Sequence, residues 1–410
     1  MSSLPHRGPG PLEGVRVLDL SRVLSGPHCT RMLVDLGADV IKVEPPDGDL
    51  TRFAFPRIHS IATYFTQQNC GKWNVSMDLK RPEAVELLAR LAEQCDVLVE
   101  NFRPGVMERM GLGYAALAAR HPRLVYASIT GYGHTGPWTQ RRAYAPVVGA
   151  EAGVTWAQGA ARGGVYANDV LSHGDVYTSL ECLAGVLAAL YQRERTGRGQ
   201  WVEVSMAETL LAVNEHVHWE LVDGVDGSDE IPSFLPGDYP VLTLGDGTVV
   251  VISGHPAAKG TFERYVEAMG RPELLDDPRF ASVAERRRNH DELMAELADW
   301  AGTQHDVAAV EHRLAHHELA MGVLRTVREI ADSSWAAERG AIVAVPDRRG
   351  GTIRIPNSPW HFSDADSGVR GQPAYRGEHN REVLRHLLGI DDATINRLEH
   401  DGVLSSRVPS

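Results

Sequence analysis

Short, nearly unbroken apolar runs alternate along the first half of the chain with segments whose apolar residues recur every three or four positions. VRVLDL (15–20), DVIKVE (39–44), DVLVE (96–100), RLVYASIT (123–130) and WVEVSM (201–206) are of the first kind and predict buried strands. PHCTRMLVDLGA (27–38) predicts a helix that opens on Pro27 and stops at Gly37. In PEAVELLARLAEQC (82–95) the apolar residues at 85, 88, 91 and 92 share one helical face. A further long helix follows Asp175 and leads to WVEVSM. Apolar strands separated by helices predict an α/β fold built on a doubly wound parallel sheet.

The pattern changes after VDGVDGSDEIPSFLPGDYP (222–240), whose Gly, Pro and Asp content predicts a linker. YPVLTLGDGTVVVISG (239–254) reads as a hairpin turning at Gly245–Asp246–Gly247. TFERYVEAMG (261–270) and DELMAELADWAG (291–302) read as amphipathic helices. The expected organisation is a large domain over 1–221, the linker 222–240, a smaller α+β domain over 241–325, and 326–410 returning to the large domain through a helix and a hairpin. The chain's end, with NREVLRHLLG and DDATINRLEHDG, is helical.

Composition narrows the function classes. The chain has 410 residues, 43% of them hydrophobic, enough for a large core. Its formal net charge of −13 argues against general nucleic-acid binding, which needs a basic face, but allows a local basic pocket. The four cysteines are far apart in sequence and form no CxxC, so neither a zinc site nor a disulfide framework is expected, and a reduced cytoplasmic setting fits. MSSLPHRGPGPLEG lacks the apolar core of a secretory signal, and no apolar stretch is long enough to predict a membrane span.

Several residues are candidates for chemistry. GYGHTGP (131–137) is a glycine-rich loop after a strand, but it is neither GxGxxG nor a P-loop. Its ordinary reading is a tight crossover turn, although Gly131, Gly133 and Gly136 would let a substrate approach the backbone. His316 and His317 with Glu318, and His216 with His218, do not share a helical face, so no metal site is expected. Arg22, Lys42, Lys80, Arg109, Arg141 and Arg142 read singly as solvated surface charges. Together they sit at strand ends and the following loops, where open α/β sheets bind ligands. Asp175 precedes the apolar-periodic helix and reads as its N-cap. The same position, with helix N–H groups favouring the anion, suits an ionised carboxylate nucleophile, and the local sequence leaves both readings open.

The chain resembles the family III CoA-transferases of the CaiB/BaiF type. The resemblance runs through PLEGVRVLDLSRVLSGP, LGADVIKVEPPDGD, SMDLKRPE, VENFRPGVMERMGLGY, ITGYGHTGP, GDVYTSLECLAGVLAALYQRERTGRGQWVEVSMAE, MGRPELLDDPRF and RGEHNREVL, nearly the whole chain. It implies a Rossmann-like large domain with a smaller domain between its halves, in a homodimer whose subunits thread through each other. It implies coenzyme A, carried as acyl-CoA, as a substrate, no metal, and a carboxylic acid as acceptor. It also implies that Asp175 attacks the thioester to give a mixed anhydride and then an aspartyl-CoA thioester. Arg22, Val23, Leu24 and Ser25 match a CoA-contacting turn, and Lys80 a phosphate contact. Asn101 and Phe102 match residues holding the adenine and pantetheine region, and Arg109 and Met110 a further nucleotide contact. Arg142 and Tyr144 match a basic residue and a tyrosine lining the site, beside Gly131 and Gly133.

Three departures shape the expected activity. Racemases of the family carry a His-Asp pair where this chain has Tyr144 and Ala145, and alanine cannot move a proton. Transfer is therefore favoured over racemisation. The oxalate enzyme carries a glutamine where this chain has Leu24, an acid where it has Ala145, and a glycine run before YPVLTL that is missing here. These differences argue against formyl-CoA and oxalate as the specific pair. The alternatives are an intramolecular CoA shift on a dicarboxylyl-CoA, a racemase using other groups, and a CoA-binding protein without catalysis.

Overall fold

The computed structural model describes residues 10–221 and 236–409. Most of the expected linker, 222–235, lies outside the described residues. The chain divides into two compact units, one running to Val217 and resuming at Ser334, the other covering His218–Ser333.

The first unit is built on a parallel sheet of six strands. They are β1 (Arg16–Asp19), β2 (Asp39–Glu44), β3 (Trp73–Ser76), β4 (Val97–Glu100), β5 (Val125–Thr130) and β6 (Trp201–Ser205), in the order β3-β2-β1-β4-β5-β6. Alternate side chains divide between two cores. Leu18, Ile41, Val75, Leu98 and Tyr126 pack on one face with helix α3 (Pro82–Ala92) and the helices Asn380–Leu388 and Asp392–His400. Val17, Val40, Val97 and Val125 pack on the other with α1 (Ser25–Asp35) and α5 (His173–Thr196). Both faces are covered, which is why the strands read as continuous apolar runs rather than alternating ones. α5 ends where Gly197 adopts φ 72° and donates its N–H to the Arg193 carbonyl at 2.8 Å.

Two differences from the sequence reading have physical causes. β3 carries Asn74 and Ser76, which break the apolar run, yet both are buried because their side chains bond within the fold, Asn74 to Glu44 and Ser76 to the Pro45 carbonyl. α1 starts at Ser25 rather than Pro27, so Pro27 lies inside its first turn. There Pro27 still lacks only an N–H that the helix would leave unpaired.

In the second unit, β7 (Val241–Thr243) and β8 (Val249–Ile252) form an antiparallel hairpin, and β9 (Met321–Val323) pairs with β8. Helix Thr261–Met269 buries Phe262, Tyr265, Val266 and Met269 against Leu242, Val250, Ile252 and Leu297. Ile342–Pro346 and Thr352–Pro356 form a further hairpin in the first unit. Among the described residues no helix is long and apolar enough to cross a membrane.

Candidate active site

The strand order reverses between β1 and β4: β2 and β3 lie on one side of β1, β4 to β6 on the other. The turns leaving the carboxyl ends of these two strands must diverge, and the crevice between them is where open α/β sheets bind ligands. A cleft of about 360 Å³ opens there. Arg22, Val23 and Ser25 after β1 line it, with Asn101, Phe102, Arg103 and Pro104 after β4. Gly131, Arg141, Arg142 and Tyr144 after β5 also face it, as does Asp175 of α5.

The β1 turn is strained and tightly held. Val23, a branched residue, adopts φ 67°, a conformation that L side chains reach only at a cost. Its N–H donates to Asp49 Oδ2 at 3.2 Å. The Asn101 side chain accepts from the Arg22 N–H and donates to the Arg22 carbonyl, both at 2.8 Å, and also donates to Ser25 Oγ at 3.3 Å. Asn101 was expected to hold part of the nucleotide. Here its amide is used in fixing the turn.

Beneath the turn lies a buried ionic network. Asp19, at the end of β1, pairs with Lys72 at 3.0 Å, and Lys42 pairs with Asp49 at 3.2 Å. Lys42 also donates to the Ser21 carbonyl at 2.8 Å. The sequence suggested a surface charge for Lys42, but its side chain is 1% exposed because DVIKVE is a central strand with no solvent side. Its charge is matched by acids from other strands and loops.

Asp175 does not cap α5. Ser172 stands at the N-cap, and Asp175 lies in the first turn, half-buried. The hydroxyl and the backbone N–H of Ser25, the first residue of α1, lie beside its carboxyl and favour its ionised form. The starts of two helices thus meet at one carboxyl. Burial nevertheless outweighs this help from Ser25 and raises its pKa from the ordinary carboxylate range to about 6. Burial thus works against the helix N–H groups expected to favour the anion, and at about 6 the group is still mainly ionised at neutral pH. Gly174 permits the arrangement, since a Cβ there would stand 3.1 Å from the Met206 sulfur. Gly131 likewise lets its strand end approach, because a Cβ would lie 2.1 Å from Ala143 Cβ.

The cleft is electropositive. Arg141 is paired with Glu151 at 2.7 Å and lies over the Trp138 ring. The Nε of Arg22 is buried without a hydrogen-bond partner, a donor placed to meet an anionic or carbonyl group. Of the remaining expected site residues, Leu24 is buried, Lys80 and Arg109 are exposed, Met110 packs on the core, and Gly133 lies beside Glu203; none of these lines the cleft.

Two participants were missed, and a third was expected in another role: Ser25 matched a CoA-contacting turn, and nothing local signals its place beside Asp175. Tyr64, in helix α2 (Thr63–Asn69), has its pKa raised by burial and by the charges of Asp175 and Asp49, which puts its hydroxyl in the field of the candidate nucleophile. Burial raises the pKa of Glu100 to about 8, so it carries a proton at neutral pH while accepting the Phe102 N–H at 2.8 Å.

The chain is similar to known proteins along nearly its whole length. The profile of the family described as CoA-transferase family III matches residues 12–380. A formyl-CoA:oxalate CoA-transferase of Streptomyces avermitilis is 34% identical over 96% of this chain and 99% of its own length. A succinyl-CoA–D-citramalate CoA-transferase of Chloroflexus aurantiacus is 32% identical over 97% of this chain and 99% of its own. The crystal structure of Rv3272 from Mycobacterium tuberculosis, 33% identical, aligns with a TM-score of 0.78 over 92% of this chain and 100% of that one.

Proposed function

The chain belongs to CoA-transferase family III, and from that premise we propose that it moves coenzyme A between carboxylic acids through Asp175. The observation that carries the proposal is the half-buried Asp175 carboxyl, which lines the switch-point cleft together with Ser25. With a pKa of about 6 the group is mainly ionised at neutral pH, as a nucleophile must be, and is more basic than an exposed aspartate.

In the proposed sequence the carboxylate attacks the acyl-CoA carbonyl, the C–S bond breaks, and an aspartyl–acyl anhydride and CoA thiolate result. The thiolate attacks the aspartyl carbonyl, releasing the donor acid and leaving an aspartyl-CoA thioester. The acceptor carboxylate displaces thiolate from this thioester to form a second anhydride. Thiolate attack on the acceptor's acyl carbon gives the new acyl-CoA and restores Asp175. No net proton is taken up or released. Arg22, Arg103 and Arg142 supply positive charge for the phosphates or the acceptor carboxylate. Lys80, Arg109 and Met110 remain proposals as nucleotide contacts, to be reached by the part of CoA outside the cleft.

The Rossmann-like assignment of the large unit is supported by its strand order and switch-point cleft. A homodimer is supported by exposed Tyr177, Leu180 and Tyr191 on α5 and by exposed Leu211 on α6 (Met206–Ala212). The departures at Leu24 and Ala145 favour an acid pair other than formate and oxalate, and Tyr144–Ala145 disfavours racemisation.

The test is to incubate the purified chain with a panel of acyl-CoAs and mono- and dicarboxylates and read the products by mass spectrometry. At least one pair exchanges CoA, and hydroxylamine traps Asp175 only when acyl-CoA is present. Exchange of an α-proton in D₂O without a carboxylate acceptor would instead identify a racemase. CoA binding without any adduct would leave a non-catalytic protein.

A second outcome concerns Ser25. Its hydroxyl acts to lower the Asp175 pKa against burial. In Ser25→Ala the acid limb of the kcat/KM profile moves to higher pH, by up to about one unit. An unmoved limb would show that the hydroxyl does not act on the nucleophile.

A further inference from the structure

The turn Leu50–Phe53 separates two cavities. Leu50 lines the Asp175 cleft, whereas Arg52 and Phe53 line a second cavity of about 390 Å³ that shares no lining residue with the first. Its walls come from four stretches far apart in sequence: Asp47 to Phe65, Arg349, Ala374–Arg376, and Arg407–Pro409. They bring together Arg52, Arg57, Arg349, Arg376, Arg407 and His59 against a single acid, Asp47. In a chain of net charge −13 this concentration of positive charge is produced by the fold and not by composition.

The arginines differ in how far they are already satisfied. Arg52 is held by Glu44 at 2.6 Å and lies over the Phe65 ring at 3.7 Å. Arg57 donates to the Phe53 and Ala54 carbonyls. Arg376 donates to the hydroxyls of Ser76 and Ser405, at 2.8 and 2.5 Å, and to no carboxylate. Arg349 and Arg407 have no carboxylate within ion-pair distance among the described residues. Three guanidinium groups thus face one cavity in which Asp47 is the single lining acid, and a multiply charged anion would give them partners they lack. Phe53, Phe65 and Tyr375 add apolar walls, so a ligand with a carbon skeleton as well as charge is accommodated.

We propose that this cavity is a binding site for a small polyanion, a phosphorylated or polycarboxylated metabolite, whose oxygens are held by Arg349, Arg376 and Arg407. Guanidinium groups pair equally well with phosphate and carboxylate oxygens, so the shared chemistry is the multiply charged oxyanion.

Inorganic pyrophosphate and citrate are titrated separately into the full chain by calorimetry, with saturating CoA present to occupy the Asp175 cleft. At least one binds at one site per chain; pyrophosphate as the tighter ligand identifies a phosphate site, citrate a polycarboxylate site. The double variant Arg349→Glu, Arg407→Glu weakens that binding by at least about a hundredfold, near tenfold for each guanidinium group removed. Arg407→Gln, a mild change at an exposed position, loses about tenfold and guards against misfolding of the double variant. Equal binding by parent and variants, or binding of neither anion, would overturn the proposal. So would a change in oligomeric state of the double variant with no anion bound by the parent, which would make the cavity an interface between copies of the chain.

Discussion

Asp175→Asn is expected to lose at least about 10⁴-fold in exchange rate, the scale for removing a covalent nucleophile, and yet to melt a few degrees above the parent at pH 8. The loss follows from the mechanism, since an amide does not attack a thioester. The gain follows from burial. The folded pKa of Asp175 is about 6, above the value near 3.9 of an unfolded chain, so the folded state binds the proton more tightly. The stabilisation belongs to the protonated form: it is complete below about pH 4 and lost as pH rises through about 6. At pH 8 the ionised carboxylate costs on the order of 3 kcal/mol, two pKa units, which asparagine avoids while keeping an oxygen toward Ser25. Melting curves of both proteins from pH 8 to pH 4 check this. The gap is widest at pH 8 and narrows toward pH 4. A gap independent of pH would show that the carboxylate is not destabilised by burial, and exchange within tenfold of the parent would remove Asp175 as nucleophile.

This opposition of function and stability explains why the sequence was a partial guide. Five of the six sheet strands were legible because both faces of the sheet are covered, and a strand with no wet side has no reason to alternate. The sixth, Trp73–Ser76, was hidden by Asn74 and Ser76, whose polarity is satisfied by Glu44 and the Pro45 carbonyl, groups a local pattern does not reveal. Lys42 misled for the same reason: its partners Asp49 and the Ser21 carbonyl meet it only after the sheet forms. At the site, Asp175, Arg22, Val23, Ser25, Asn101, Phe102, Gly131, Arg142 and Tyr144 were legible through motifs and do gather at one cleft. Their division of labour was not legible. The structure shows Asn101 as the clamp on a strained turn and places Ser25 beside Asp175, relations that depend on contacts between residues far apart in sequence.

Asp19→Asn is expected to cost about 3–5 kcal/mol of stability, the scale for breaking one side of a buried ion pair. Asp19 is fully buried and accepts from Lys72 at 3.0 Å, Thr30 Oγ1 at 2.7 Å and the Ser21 N–H at 2.9 Å. Burial alone would raise its pKa, but the charges of Lys72 and Lys42 and the hydroxyls of Ser21 and Thr30 prevail and lower it to about 2. The variant leaves Lys72 bonded to the Pro27 carbonyl, Thr30 and Asn69 with no charge to balance its own. Because Pro27 lies in the first turn of α1, loosening this anchor also loosens Ser25, so exchange falls along with stability. The native pKa is depressed, so the pair's contribution is present above about pH 4 and lost as pH falls toward about 2. Urea titrations of both proteins therefore diverge most at pH 6 and converge toward pH 2. Replacing both partners, Asp19→Leu with Lys72→Met, is expected to recover much of the lost stability, since the main cost is a single buried charge left unpaired. A single variant as stable as the parent at pH 6, or a double variant weaker than the single one, would show that the pair does not support the turn in this way.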